Sequence, residues 1–166
     1  MSSAEILSWA VAAAFVGLLL AAGIVDILKR RIPNWTVAAL IVVYVVAVLL
    51  KVSPSVWYWG LAAAGITFVV TYGLYHFGAV GAGDAKLMTA AALFAGLEGL
   101  GLLALLTVLV GGAMALGVIM LNPKRVLRGM TAAGRAEGRG RGVPYGVAIA
   151  SGAIISQMIS GGLGAV

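Results

Sequence analysis

The chain has 166 residues, of which 63% are hydrophobic and 10% charged, with a mean hydropathy of +1.12. Soluble domains are only about half apolar, so a water-soluble fold is excluded and an integral membrane protein is expected. The net charge is +6. With no cysteine and a single histidine, His76, disulfides, thiolate metal sites and histidine metal clusters are excluded as well.

Apolar runs and chain breakers predict an all-α, polytopic membrane bundle in one domain, residues 1–166, with about six transmembrane helices. The spans fall at 6–28, 34–50, 57–77, 85–96, 101–121 and 143–159, with cytoplasmic loops at 29–33, 78–84 and 122–142. Glu5 rather than a basic cluster precedes the first run, and no small-residue cleavage site follows it, so this run reads as a retained span and not a signal peptide. It ends at "KRR". Pro33 suits the first turn of the second helix, and after the break "KVSPS" the run Trp57, Tyr58, Trp59 opens the third as an interfacial aromatic belt would. "GAVGAG" then reads as a loop.

The next apolar block, 87–121, would extend about 52 Å as one helix, well beyond the roughly 30 Å hydrocarbon core. It is therefore expected to fold back. "GLEGLG", with Glu98 among its glycines, is the natural hairpin, and a full helix follows it up to Asn122 and Pro123. Six spans put ten of the eleven Lys and Arg residues on one side and only Lys51 on the other. The positive-inside rule makes the crowded side cytoplasmic and both termini external. The basic stretch "NPKRVLRGMTAAGRAEGRGRG" then sets topology and lies against anionic lipid headgroups. Without aromatic residues it offers nothing toward nucleic acid.

Five acids remain. Glu5, Glu98 and Glu137 fall at predicted helix ends or in loops, where a carboxylate costs little, whereas Asp26 lies inside the first helix near its cytoplasmic end and Asp84 at the cytoplasmic start of the fourth. A carboxylate at a helix centre costs about 2.5–3.5 kcal/mol on insertion scales, so intramembrane acids usually face the bundle interior and have a function. Each also has a structural explanation. Asp84 suits a helix cap, and Asp26 suits an interfacial ion pair with Lys29 or Arg30. The second is the weaker, because the dipole at a helix C-terminus opposes a negative charge. Two carboxyls at one membrane depth that share a proton can activate a water and polarise a carbonyl, which is what peptide hydrolysis requires.

"DILKRRIPN" (26–34), followed 58 positions after its aspartate by "GAGDAK" (81–86), resembles the type IV prepilin peptidases, polytopic GxGD aspartyl proteases of prokaryotic membranes. "VPYGVAIASGA" at the start of the last helix resembles their short Tad/Flp-type members. The resemblance implies Asp26 and Asp84 as catalytic aspartates and Gly81 and Gly83 as the glycines of the active-site loop. It implies a prepilin substrate, cut after a glycine where its basic leader meets its apolar helix, at the cytoplasmic face of the inner membrane. No cofactor is implied. Larger relatives also methylate the new N-terminus and carry a cysteine-bearing insertion; only "KRRIPN" joins the first two helices here, so a peptidase without methyltransferase activity is expected. Presenilin-like enzymes share GxGD but pair it with "YD" and "PAL", and neither is present.

The remaining candidates are more ambiguous. Lys86 is expected either to tune Asp84 or only to mark the cytoplasmic side. Arg31, Pro33 and Asn34 anchor and start a helix and are possible lining for the site, as are Pro144 and Tyr145. His76 is an interfacial residue or a proton relay. Gly111, Gly112 and Gly117 read as close helix packing. Two other classes remain open on the residues alone: a proton-coupled transport or channel subunit, whose acids would spread along the membrane depth, and a non-catalytic assembly scaffold.

Overall fold

A computed structural model describes residues 2–53, 55–121 and 144–162, and every regular element among them is helical. The basic loop expected at 122–142 lies outside the described residues, with Glu137 in it. The first helix, α1, spans Ser3–Lys29. It starts earlier than apolarity alone indicates because Ser2 and Glu5 form a reciprocal capping box: the Glu5 N–H donates to Ser2 Oγ at 3.2 Å and the Ser2 N–H to Glu5 Oε2 at 2.8 Å. It ends at Arg30, whose left-handed conformation (φ 53°) turns the chain while its N–H still donates to the Asp26 carbonyl.

Helix α2 is Asn34–Leu49, with Pro33 as its N-cap and so one position outside the first turn expected for it. Pro33 contributes its carbonyl, which accepts from the Thr36 N–H and hydroxyl. Helix α3 is Trp57–His76, and at its start the exposed Trp57, Tyr58 and Trp59 meet in turn, the first pair edge-on and the second tilted. Helix α4 runs from Ala82 to Leu121 and α5 from Tyr145 to Ile159. The loop expected to continue to residue 84 therefore ends at Gly81, which moves Asp84 from a loop into the first turn of α4.

Inside α4 the helix breaks at Gly96, with φ 62° and ψ −176°. The chain reverses there. Met88 Sδ and Thr107 Oγ1 approach to 3.9 Å, whereas 19 residues of straight helix would separate them by about 28 Å. The fold-back thus occurs at one glycine, and Glu98, expected in an open hairpin, is an exposed residue of the second arm. A break in a helix frees carbonyls. The one on Leu93 is taken by the Ser55 hydroxyl at 3.1 Å, and Gly96 leaves no room for a side chain, since a Cβ would stand 2.9 Å from Ser55 Cβ.

Among the described residues three helices, α1, α3 and α4, are long and apolar enough to cross a membrane, and α2 and α5 are shorter apolar helices. The first arm of α4 is the centre of the bundle. Ala85, Leu87, Ala90, Ala91, Ala92, Leu93 and Phe94 are buried, so this arm is enclosed on several faces by α2, α3 and α5. Phe94 packs on Phe15 of α1 (centroids 4.4 Å apart) and edge-on to Tyr44 of α2 (5.3 Å). The outer faces of α1, α2 and α3 expose leucine, isoleucine, valine and aromatic side chains, as a lipid-facing surface requires.

Candidate functional site

Asp26 is a buried carboxyl in the last turn of α1, 6% exposed. Its partner comes from the far end of the chain: the Gly146 N–H, in the first turn of α5, donates to Asp26 Oδ2 at 2.9 Å. First-turn N–H groups have no partner within their own helix, and that end of the dipole favours negative charge. The unfavourable dipole of α1 at Asp26 is thus met by the favourable one of α5. Gly146 is required sterically too, because a Cβ there would stand 2.9 Å from Oδ2 and 3.1 Å from Cβ and Cγ of the same aspartate.

Asp84, half-buried, is the third residue of α4. Its carboxylate accepts the Gly81 backbone N–H, while the Gly81 carbonyl accepts from the Ala85 N–H at 3.0 Å. The residue does stabilise the helix start, but from inside the first turn. Each glycine of the motif has a contact that accounts for it. A Cβ on Gly81 would lie 2.8 Å from Asp84 Oδ2, and one on Gly83 would lie 3.1 Å from Ile32 Cβ, in the loop between α1 and α2.

That second contact joins the two halves of the site. Ile32 sits against Gly83, and beside it Lys86 Nζ donates to Asn34 Oδ1 at 3.2 Å, tying the first turn of α4 to the first residue of α2. The loop that follows Asp26 is thereby docked on the helix that carries Asp84. The two carboxyls come within reach of each other's charge.

The other candidates are placed differently. Tyr145 lies over Gly111, with its Cζ 3.0 Å from where a Cβ would be, and borders a cavity that Asp84 also reaches. Pro144 is the N-cap of α5, half-buried beside that ring. Arg31 is exposed. His76 ends α3, exposed, with Phe77 edge-on to it at 6.1 Å. Of the three glycines expected at helix contacts, Gly111 meets a neighbour, whereas Gly112 and Gly117 have none within 4 Å among the described residues; tight helix contacts lie instead at Gly60, where a Cβ would stand 2.6 Å from the Leu93 carbonyl oxygen, and at Gly152, where one would stand 2.8 Å from the Thr107 backbone nitrogen. Gly146 was not legible as a site residue although it stands in the quoted "VPYG". The available signal was a glycine in a helix's first turn, which leaves an N–H accessible from the side. Among the described residues no three His, Asp or Glu side chains cluster as metal ligands would.

The bundle is apolar on its outer faces and carries a buried carboxyl at the end of α1 and a half-buried one at the start of α4. The chain belongs to the type IV leader peptidase family, which it matches over residues 13–116. It is accordingly a membrane protein of a peptidase family. The matched stretch holds Asp26, the Gly81–Asp84 motif and Lys86, and stops short of α5, so Tyr145 and Gly146 lie beyond it. No curated protein and no solved structure matches the chain.

Proposed function

We propose that the protein is an aspartic endopeptidase of the cytoplasmic membrane that removes the short basic leader from Tad/Flp-type prepilins, with Asp26 and Asp84 as its catalytic pair. The observation that carries this reading is the convergence of two acids 58 positions apart, each held by a backbone N–H from a helix start. One carboxylate takes a proton from a water between them. The oxygen bonds to the scissile carbonyl carbon, the protonated carboxyl hydrogen-bonds to the carbonyl oxygen, and collapse breaks the C–N bond as the leaving amine takes up a proton. Gly81, Gly83 and Lys86 support the loop, while Arg31, Pro33, Asn34, Pro144 and Tyr145 surround it.

The same reading takes the protein as one membrane domain of six spans, with the two arms of α4 as separate crossings, both termini external and the acids near the cytoplasmic face. The charge asymmetry supports that orientation. It also takes the activity as peptidase alone, since the chain lacks the cysteine-bearing insertion of its methylating relatives.

Incubation of the purified protein in detergent with a Tad/Flp-type prepilin tests the assignment. Wild type is expected to release the leader, and Asp26→Asn and Asp84→Asn, folded as judged by their thermal unfolding, to lose at least about 100-fold in rate. Either variant cutting normally overturns the pair. Methylated product formed with an added methyl donor overturns the restriction to peptidase activity.

A further inference from the structure

The bond from the Gly146 N–H to Asp26 holds only while the first turn of α5 keeps its place, and Gly146 has no side chain with which to keep it. Other residues must seat that turn. Toward α1 the packing is ordinary: a Cβ on Gly23, three positions before Asp26, would lie 3.7 Å from Val147 Cα and 3.8 Å from Ala150 Cβ. Toward the second arm of α4 it is tighter, at two points. A Cβ on Gly152 would stand 2.8 Å from the Thr107 nitrogen and 3.0 Å from its Cα, so the two backbones touch there. A Cβ on Gly111 would stand 3.0 Å from Cζ, 3.1 Å from the hydroxyl oxygen and 3.2 Å from Cε2 of Tyr145. Tyr145 is the residue before Gly146. The ring that rests on Gly111 and the N–H that holds Asp26 therefore leave the chain at adjacent positions. Both follow Pro144, whose ring restricts its φ (−70°) and whose carbonyl accepts from the Val147 N–H at 3.2 Å.

We propose that Gly111 is a positioning residue for the Asp26 carboxyl: it is the seat on which the Tyr145 ring fixes the first turn of α5, and through that turn the Gly146 N–H. Its effect on rate rests on the peptidase reading above, whereas the coupling of Gly111 to Asp26 is a matter of packing. A methyl group at position 111 meets Tyr145 first, since all three of its nearest atoms belong to that side chain. Carbon atoms in ordinary contact stand about 3.5–4.0 Å apart, so the ring must yield by about 0.5–1 Å. The Gly152 contact on Thr107 holds α5 further along, which leaves the movement to the helix start. Gly112, the next residue of the same arm, has no neighbour within 4 Å among the described residues and supplies the control. Position 145 supplies a rescue. The three atoms that crowd Gly111 all lie beyond the Cδ positions of the ring, and leucine ends short of them.

Two readouts test this on folded protein in detergent, with thermal unfolding run on every variant. One is steady-state cleavage of a prepilin. The other is hydrogen exchange of the Gly146 amide, followed by nuclear magnetic resonance on protein carrying isotope-labelled glycine. Gly111→Ala is expected to lower kcat about tenfold with KM unchanged, and to speed exchange at Gly146 about tenfold. Gly112→Ala should change neither. Tyr145→Leu, which empties the seat, should also lower kcat, and the Gly111→Ala, Tyr145→Leu double variant should recover most of either loss in both readouts. Tyr145→Phe keeps the ring and should lose less than Tyr145→Leu. Unchanged exchange in Gly111→Ala overturns the proposal, as do equal effects of Gly111→Ala and Gly112→Ala, or losses that add in the double variant. A Tyr145→Phe loss as large as that of Tyr145→Leu would give the role to the hydroxyl and overturn it too. If Gly111→Ala does not fold, the two Tyr145 variants read the same contact from its other side. A wild type that never cuts, while exchange at Gly146 follows the expected pattern, would keep Gly111 as assigned and end the peptidase reading instead.

Discussion

The backbone N–H of Gly146 stands 2.9 Å from Oδ2 of Asp26, joining the start of α5 to the end of α1 across 120 positions of chain. It gives a buried acid a donor at a helix end that favours its charge. Gly146→Ala keeps the N–H but places a methyl group 2.9 Å from the same oxygen. The carboxyl must then move. A displacement of this size near the chemistry is expected to lower kcat about 100-fold, while thermal unfolding changes little because alanine is the better helix former by about 1 kcal/mol. Leader release and a melting curve on the same detergent sample check both halves.

Gly81 and Gly78 separate site geometry from backbone freedom. A Cβ on Gly81 would lie 2.8 Å from Asp84 Oδ2, so Gly81→Ala is expected to lower kcat by about tenfold or more. Gly78 has φ +72° with nothing within 4 Å of the added atom. There the substitution should cost about 1 kcal/mol of stability and leave kcat alone. Equal kinetic losses in both would show that the loop's flexibility, not the carboxyl's position, is what the glycines supply.

Lys86 acts through Asn34 in this fold, and both are exposed. Lys86→Met and Asn34→Ala are each expected to lower cleavage modestly, with the double variant no worse than either alone, because all three remove one bond worth about 1 kcal/mol or less. A Lys86→Met loss that adds fully to that of Asn34→Ala would instead give the ammonium a direct electrostatic effect on Asp84.

At the opposite end of the bundle, Ser55→Ala leaves the Leu93 carbonyl without the hydroxyl that accommodates the fold-back. The expected cost is about 1–3 kcal/mol of stability with kcat and KM unchanged, read from thermal unfolding and steady-state cleavage. A change in kcat would couple the Gly96 turn to the site.

How far the sequence carries can be judged from particular residues. Asp26 and Asp84 stand out because an acid within an apolar run is costly wherever the chain folds, so its presence alone marks it. The reversal within 87–121 follows from length against bilayer thickness, yet its position does not: three glycines in "GLEGLG" could each turn, and Gly96 does so because Ser55, from a separate segment, supplies the hydrogen bond and crowds the site. The same holds for glycines at helix contacts, since Gly111 and Gly112 are adjacent in sequence and only Gly111 lies under a ring.

Composition and motif spacing alone determined the solvent of this protein, its all-helical build and the two acids to examine, because transfer free energies and chain breakers are local properties of the residues. Only the tertiary structure decided what each acid is bonded to. Gly146 meets Asp26 and Ile32 meets Gly83 through packing among α1, α4 and α5, and such contacts depend on helix register and rotation, which an apolar surface on every side of a helix leaves unspecified.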